Sequence, residues 1–167
     1  MHISRNKRIA VTVVAVAAIP VTALSLQPTN AASSSSAPET FRLVERPGTF
    51  KFVDVPPRQQ SEESPPTAGD QLIFTSPLFR SGERAGKLHA VCTITRRTQT
   101  WDRIQASCVG TFDLRAGSIQ LAVGGRIFED RLEIAVTGGT GRYAGANGTV
   151  TSVTRGNRTV DTVRLLG

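Results

Sequence analysis

The chain has 167 residues, 39% of them hydrophobic but only 5% aromatic, with 15 Gly, 9 Pro and Met1 as the one methionine. That length suits a single domain, and so many turn formers argue against a helical bundle. The formal charge of +7 rests on 20 basic and 13 acidic residues, but the arginines are scattered and not interleaved with aromatics, which speaks for a solvated cationic surface and against a nucleic-acid partner.

Residues 1–32 read as a secretory signal peptide. Arg5, Lys7 and Arg8 precede the uncharged apolar run Ile9 to Leu26, and Thr29-Asn30-Ala31-Ala32 offers small residues for cleavage. The run is also about long enough to span a bilayer, but Pro20 and the cleavage residues favour removal, so no stable membrane insertion is expected of the mature chain. The expected location is extracytoplasmic. Setting the three basic residues aside lowers the formal charge from +7 to +4. Residues 33–39, with the run Ser33 to Ser36, form a flexible leader.

Residues 40–167 carry the domain. Thr40 to Glu45 and Lys51 to Val55 are short candidate strands, followed by a polar stretch bracketed by Pro56-Pro57 and Pro65-Pro66 that buries little. Gln71 to Phe79 is a strand in which Pro77 marks an edge or a bulge. Leu88, Ala90, Cys92 and Ile94 alternate with other residues, as do Ile104, Ala106, Cys108 and Phe112. Ile119, Leu121 and Val123 keep the period of two, then Leu132, Ile134 and Val136, and two Val- and Thr-rich segments, Gly148 to Thr154 and Thr159 to Leu166, flank a turn at Gly156-Asn157. The series predicts an all-β fold, a closed antiparallel eight-stranded barrel, because closure removes the edges that such strands would otherwise expose.

A hairpin over residues 95–103 pairs 94 with 106, 92 with 108 and 90 with 110, which sets Cys92 against Cys108 on one face. In an exported protein with two cysteines this predicts a disulfide. The rival role, Cys92 as a free nucleophile, lacks a base: His89, the one histidine beyond the signal, falls on the opposite face.

Thr137 to Gly145 imitates a glycine-rich phosphate loop, but Gly145 and Gly148 interrupt the helix that such a loop must open. Gly138, Gly139, Gly141 and Gly145 instead read as structural residues of a tight strand connection. Asn147-Gly148-Thr149 and Asn157-Arg158-Thr159 match the glycosylation triplet. No metal set is expected from one mature histidine and two paired cysteines. Asp54, Asp70, Glu129 and Glu133 read as solvated face residues, so spacing alone names no catalytic pair.

The blocks Ala68 to Phe79, Gly86, Val91-Cys92, Phe112 with Gly117-Ser118-Ile119, and Ala135 to Ala146, together with Gly125-Arg126, resemble the allene oxide cyclase and dirigent barrel superfamily, in particular its secreted actinobacterial type. The resemblance covers residues 40–167. It implies an eight-stranded barrel with an apolar cavity, frequently a homotrimer, that steers a small molecule into one cyclised or coupled stereoisomer without a cofactor. Carried over residue by residue, the cyclase cavity glutamate falls at Arg42 and two water-holding asparagines at Val44 and Ser76; only Cys92 keeps the family's residue type. Allene oxide cyclase activity itself is therefore not expected, and the catalytic residues stay unassigned. Ser76, Arg126 and Tyr143 are the cavity candidates. The expected partner is an apolar small molecule, aliphatic or small given the few aromatics, whose cyclisation or coupling the barrel directs. The alternatives are a non-catalytic carrier or interaction module, and a surface protein that uses its arginines on anionic wall polymers.

Overall fold

A computed structural model describes residues 38–56, 64–96 and 99–167. The expected signal segment, most of the leader and the centre of the proline-bracketed stretch lie outside these residues. Nine strands follow in order: β1 Glu39–Glu45, β2 Thr49–Val53, β3 Gln71–Arg80, β4 Glu83–Arg96, β5 Gln105–Leu114, β6 Gly117–Arg126, β7 Arg131–Gly139, β8 Asn147–Arg155 and β9 Arg158–Leu166. All pairings are antiparallel, from β1 through β9, β8, β7, β6, β5 and β4 to β3, and β3 returns to β1. The sheet is thus closed.

The barrel has eight strand positions because β1 and β2 share one. β2 pairs with residues 71–75 of β3, and β1 takes over at Leu78 and Phe79. Between them Gly48 passes so close to the Thr75 carbonyl that a Cβ would sit 1.8 Å from its oxygen. Pro77 falls at this handover, next to a register shift after Leu78. A residue that cannot donate to the ladder belongs where the partner strand changes.

The predicted β4–β5 register is the observed one: Ala90 faces Gly110, Cys92 faces Cys108 and Ile94 faces Ala106. Cys92 and Cys108 are joined in a disulfide across a separation of 16 residues. Chain-entropy reasoning makes such a cross-link worth about 3 kcal/mol. Cys92→Ser with Cys108→Ser is expected to lower the unfolding free energy by about that amount, measured by urea denaturation with and without reductant; equal midpoints for the oxidised wild type and the double variant would contradict this.

The interior holds two packed regions. One, toward the β3–β4, β5–β6 and β7–β8 connections, contains Leu43, Leu78, Phe112, Ile119, Val150 and Val163 and closes that end of the barrel. The other lies at the opposite end, where Leu72, Ile94, Ile104 and Ala106 surround the disulfide and Trp101 meets Phe52 edge-on at 5.8 Å.

Asp70, read from sequence as a solvated residue, is fully buried. Its carboxylate accepts from the backbone N–H of Val55 at 2.9 Å and of Thr67 at 2.7 Å, and from the Thr67 hydroxyl at 3.2 Å. It thereby ties both described flanks of the proline-bracketed stretch to the barrel. The glycine-rich connection is a single 3₁₀ turn, Gly141–Tyr143, with no helix for a phosphate loop to open. Gly141 and Gly145 have positive φ (59° and 74°), whereas Gly139 is needed for space, since a Cβ there would lie 2.3 Å from the Tyr143 carbonyl oxygen.

Candidate active site in the barrel lumen

Between the packed regions the lumen holds a cavity of about 250 Å³. Its walls are apolar, formed by Phe74, Leu88, Ala90, Leu121, Leu132 and Ile134, with the disulfide on one side. Ile127 and Phe128 line it from the β6–β7 connection, and Phe128 is 45% exposed, so this end is the mouth. Two carboxylates interrupt the apolar wall, Glu45 of β1 and Asp161 of β9.

Alternation puts them there. Phe41, Leu43 and Glu45 share the inward phase of β1, as Thr159, Asp161, Val163 and Leu165 share that of β9. The register places Glu45 opposite Thr159 and Leu43 opposite Asp161, so the two acids are diagonal neighbours on one face. Asp161 also faces Ser152 of β8.

Burial strips water from both groups and disfavours their charged forms. Burial first, and then the neighbouring Asp161 carboxylate, push Glu45 from its ordinary 4.5 up to about 8, against a smaller opposing pull from Ser76. The Asp161 carboxyl is likewise raised, by burial, with Glu45 and Ser152 holding it down in part. Asp161 is 1% exposed, and neither of its carboxylate oxygens has a hydrogen-bond partner among the described residues. A proton on Glu45 is the natural supply: one carboxylic acid donating to one carboxylate satisfies the buried oxygens and removes the repulsion. At neutral pH the pair therefore holds a proton that an exposed carboxylate would have lost.

Of the residues singled out in the sequence, Ser76 lies beside Glu45. Arg126 does not join them; it is exposed and paired with Glu129 at 3.4 Å. Tyr143 is buried at the closed end, its ring 6.2 Å from that of Phe41. Arg42, where the cyclase glutamate falls, is exposed. The carboxylate of this barrel stands three residues further on, at Glu45. Among the described residues no group of three or more His, Cys, Asp or Glu side chains converges in a metal-binding arrangement.

No family model and no curated protein matches the chain. Solved structures do. A pyocyanin demethylase superposes with a TM-score of 0.62 at 23% identity, covering 75% of this chain and 99% of the other. A pterocarpan synthase dirigent protein gives a TM-score of 0.62 at 15% identity, covering 79% and 96%. The chain has the dirigent-like barrel fold. A nonspecific heme-binding cyclase that catalyses a cycloaddition in neoabyssomicin biosynthesis shares it at a TM-score of 0.54 and 16% identity, covering 80% of this chain and 67% of its own. Within this dirigent-like barrel the lumen is the one place where a desolvated acid pair meets an apolar cavity, among the described residues.

Proposed function

We propose that the barrel is a secreted, cofactor-independent directing protein of the isomerase or cyclase kind. The lumen binds a small apolar molecule carrying one polar group, and the Glu45–Asp161 pair delivers a proton to that group or removes one from it. The observation that carries this reading is a fully buried carboxyl, Asp161, beside a half-buried one, Glu45, that is raised to about 8, both facing an apolar cavity of about 250 Å³. A carboxylic acid that keeps its proton at neutral pH is a competent general acid, and its conjugate base is stronger than an ordinary carboxylate. At about 250 Å³ the cavity falls just below the range of ligand pockets, roughly 300–1,000 Å³, which favours a compact or aliphatic ligand. Holding it in one near-attack shape supplies stereochemical direction without further groups. The Cys92–Cys108 bond supports folding in an oxidising compartment and thus the export reading.

Leu132→Trp, which fills the cavity from its wall, is expected to abolish retention of small molecules from a culture extract, read by native mass spectrometry. Retention at the wild-type level would contradict a luminal site. Stereochemical analysis of the retained compounds and their products, with wild type against Glu45→Gln, tests the directing role: wild type is expected to shift product ratios and Glu45→Gln to lose that shift while still binding. Ratios unchanged by wild type would leave the carrier reading in its place. An acid-dependent step is also expected to slow as pH rises through about 8, where Glu45 gives up its proton.

A further inference from the structure

A second site stands at the closed end of the barrel, away from the lumen mouth. The β3–β4 turn at Ser81-Gly82, the β5–β6 turn at Arg115-Ala116 and the 3₁₀ turn carrying Tyr143 enclose a depression of about 340 Å³. Its inner wall is apolar, built from Phe41, Leu43, Leu114 and Tyr143. Its charged lining is Arg80, Arg84 and Arg115 against the carboxylate of Glu83.

These guanidinium groups are only partly neutralised. Arg115 donates to the main-chain carbonyl of Arg84 at 3.1 Å, a neutral acceptor that holds the guanidinium without cancelling its charge. Arg80 lies over the Phe41 ring, 4.5 Å from its centre, and reaches Glu39 at 3.9 Å. Glu39 is shared, since Arg142 approaches it more closely at 3.3 Å. Arg84 and Arg115 form no ion pair among the described residues. Like charges gathered over an apolar wall repel one another, and a ligand that brings an anion relieves that repulsion. Guanidinium forks suit the planar or tetrahedral oxygens of carboxylate and phosphate.

We propose that this depression binds a free amphipathic anion, a carboxylate or phosphate monoester on a small apolar body. The anion sits on Arg84 and Arg115, and the apolar body rests on Phe41, Leu114 and Tyr143. The site is independent of the acid pair, which lies toward the opposite end of the barrel.

Calorimetric titration with octyl phosphate below its micelle concentration tests the site, with inorganic phosphate and octyl glucoside as the charge-only and tail-only probes. Octyl phosphate is expected to bind at least about tenfold more tightly than either, and to weaken about tenfold or more in Arg84→Ala/Arg115→Ala. Both arginines are exposed, so the double variant keeps its fold, checked by circular dichroism. Raising salt from about 50 to about 500 mM is expected to weaken wild-type binding as well. The lumen-filling Leu132→Trp is expected to leave it unchanged. Equal binding of octyl glucoside, an unaffected double variant, or loss of binding in Leu132→Trp would each overturn the proposal. So would adhesion to phosphatidylglycerol vesicles without binding of monomeric octyl phosphate, which would make the patch a membrane contact.

Discussion

Glu45→Gln is expected to stabilise the barrel at pH 8.5 by on the order of 2 to 4 kcal/mol, with little effect at pH 4. In the unfolded chain Glu45 titrates near its ordinary 4.5, whereas in the barrel it holds its proton up to about 8. Between these values the folded state binds more protons than the unfolded one, so wild-type stability falls as pH rises through that window. Below the window both states are protonated and nothing is lost. Above it the full cost of a buried second carboxylate is present. Asp161, raised in the same direction, adds to the same slope. Glutamine carries no charge and still offers an N–H donor to the Asp161 oxygens, so the variant removes the repulsion without orphaning its partner. Urea denaturation across pH 4 to pH 9 reads the difference. A variant that is more stable and inactive is the signature of a site kept at the expense of stability; a variant less stable at pH 8.5 would show that Glu45 is there to hold the barrel together.

Asp70→Ala is the change expected to destabilise most, by on the order of 3 to 5 kcal/mol. The substitution leaves the backbone N–H groups of Val55 and Thr67, both half-buried, without the fully buried acceptor they share. The main chain of Asp70 accepts from the Ile94 N–H at 2.8 Å and stays in place, so the loss is confined to the side chain. Loosening residues 54–56 and 64–69 exposes the region around Leu72, Ile94 and the disulfide. Asp70→Asn is expected to cost nearly as much, because its amide group presents N–H donors where one of the two backbone N–H groups needs an acceptor. Denaturant midpoints close to wild type in both variants would contradict the role given to Asp70.

Much of this barrel was legible because alternation is a local signal. The hairpin arithmetic that joined Cys92 to Cys108 needed only the period of two and one turn, and the observed register repeats it. Alternation does not say which face is interior. Ile73, Val91, Val109 and Ala122 fall in one register row on the outside of β3 to β6, and Val109 is 64% exposed. Glu45 and Asp161 are ionisable and face inward. Hydrophobicity would have sorted all six residues the wrong way. The signal that finds the acids is phase: Glu45 follows Phe41 and Leu43 at steps of two, and Asp161 precedes Val163 and Leu165. Their meeting depends on β1 pairing with β9, a contact between the two ends of the domain that no local pattern contains. Motif resemblance points to Arg126 and Tyr143, but it carries no information about phase or about which end of the barrel a turn occupies. Nothing in the alternation marks Asp70, since its partners Val55 and Thr67 lie in irregular segments where periodicity is silent.

The central claim is that the lumen holds an acid pair sharing a proton near neutral pH, and the most direct measurement is a carbon-13 NMR titration of the Glu45 side-chain carboxyl. The midpoint is expected at about 8, and Asp161→Asn, which removes the neighbouring negative charge, is expected to move it downward. A Glu45 midpoint near 4.5, unmoved by Asp161→Asn, would contradict the account.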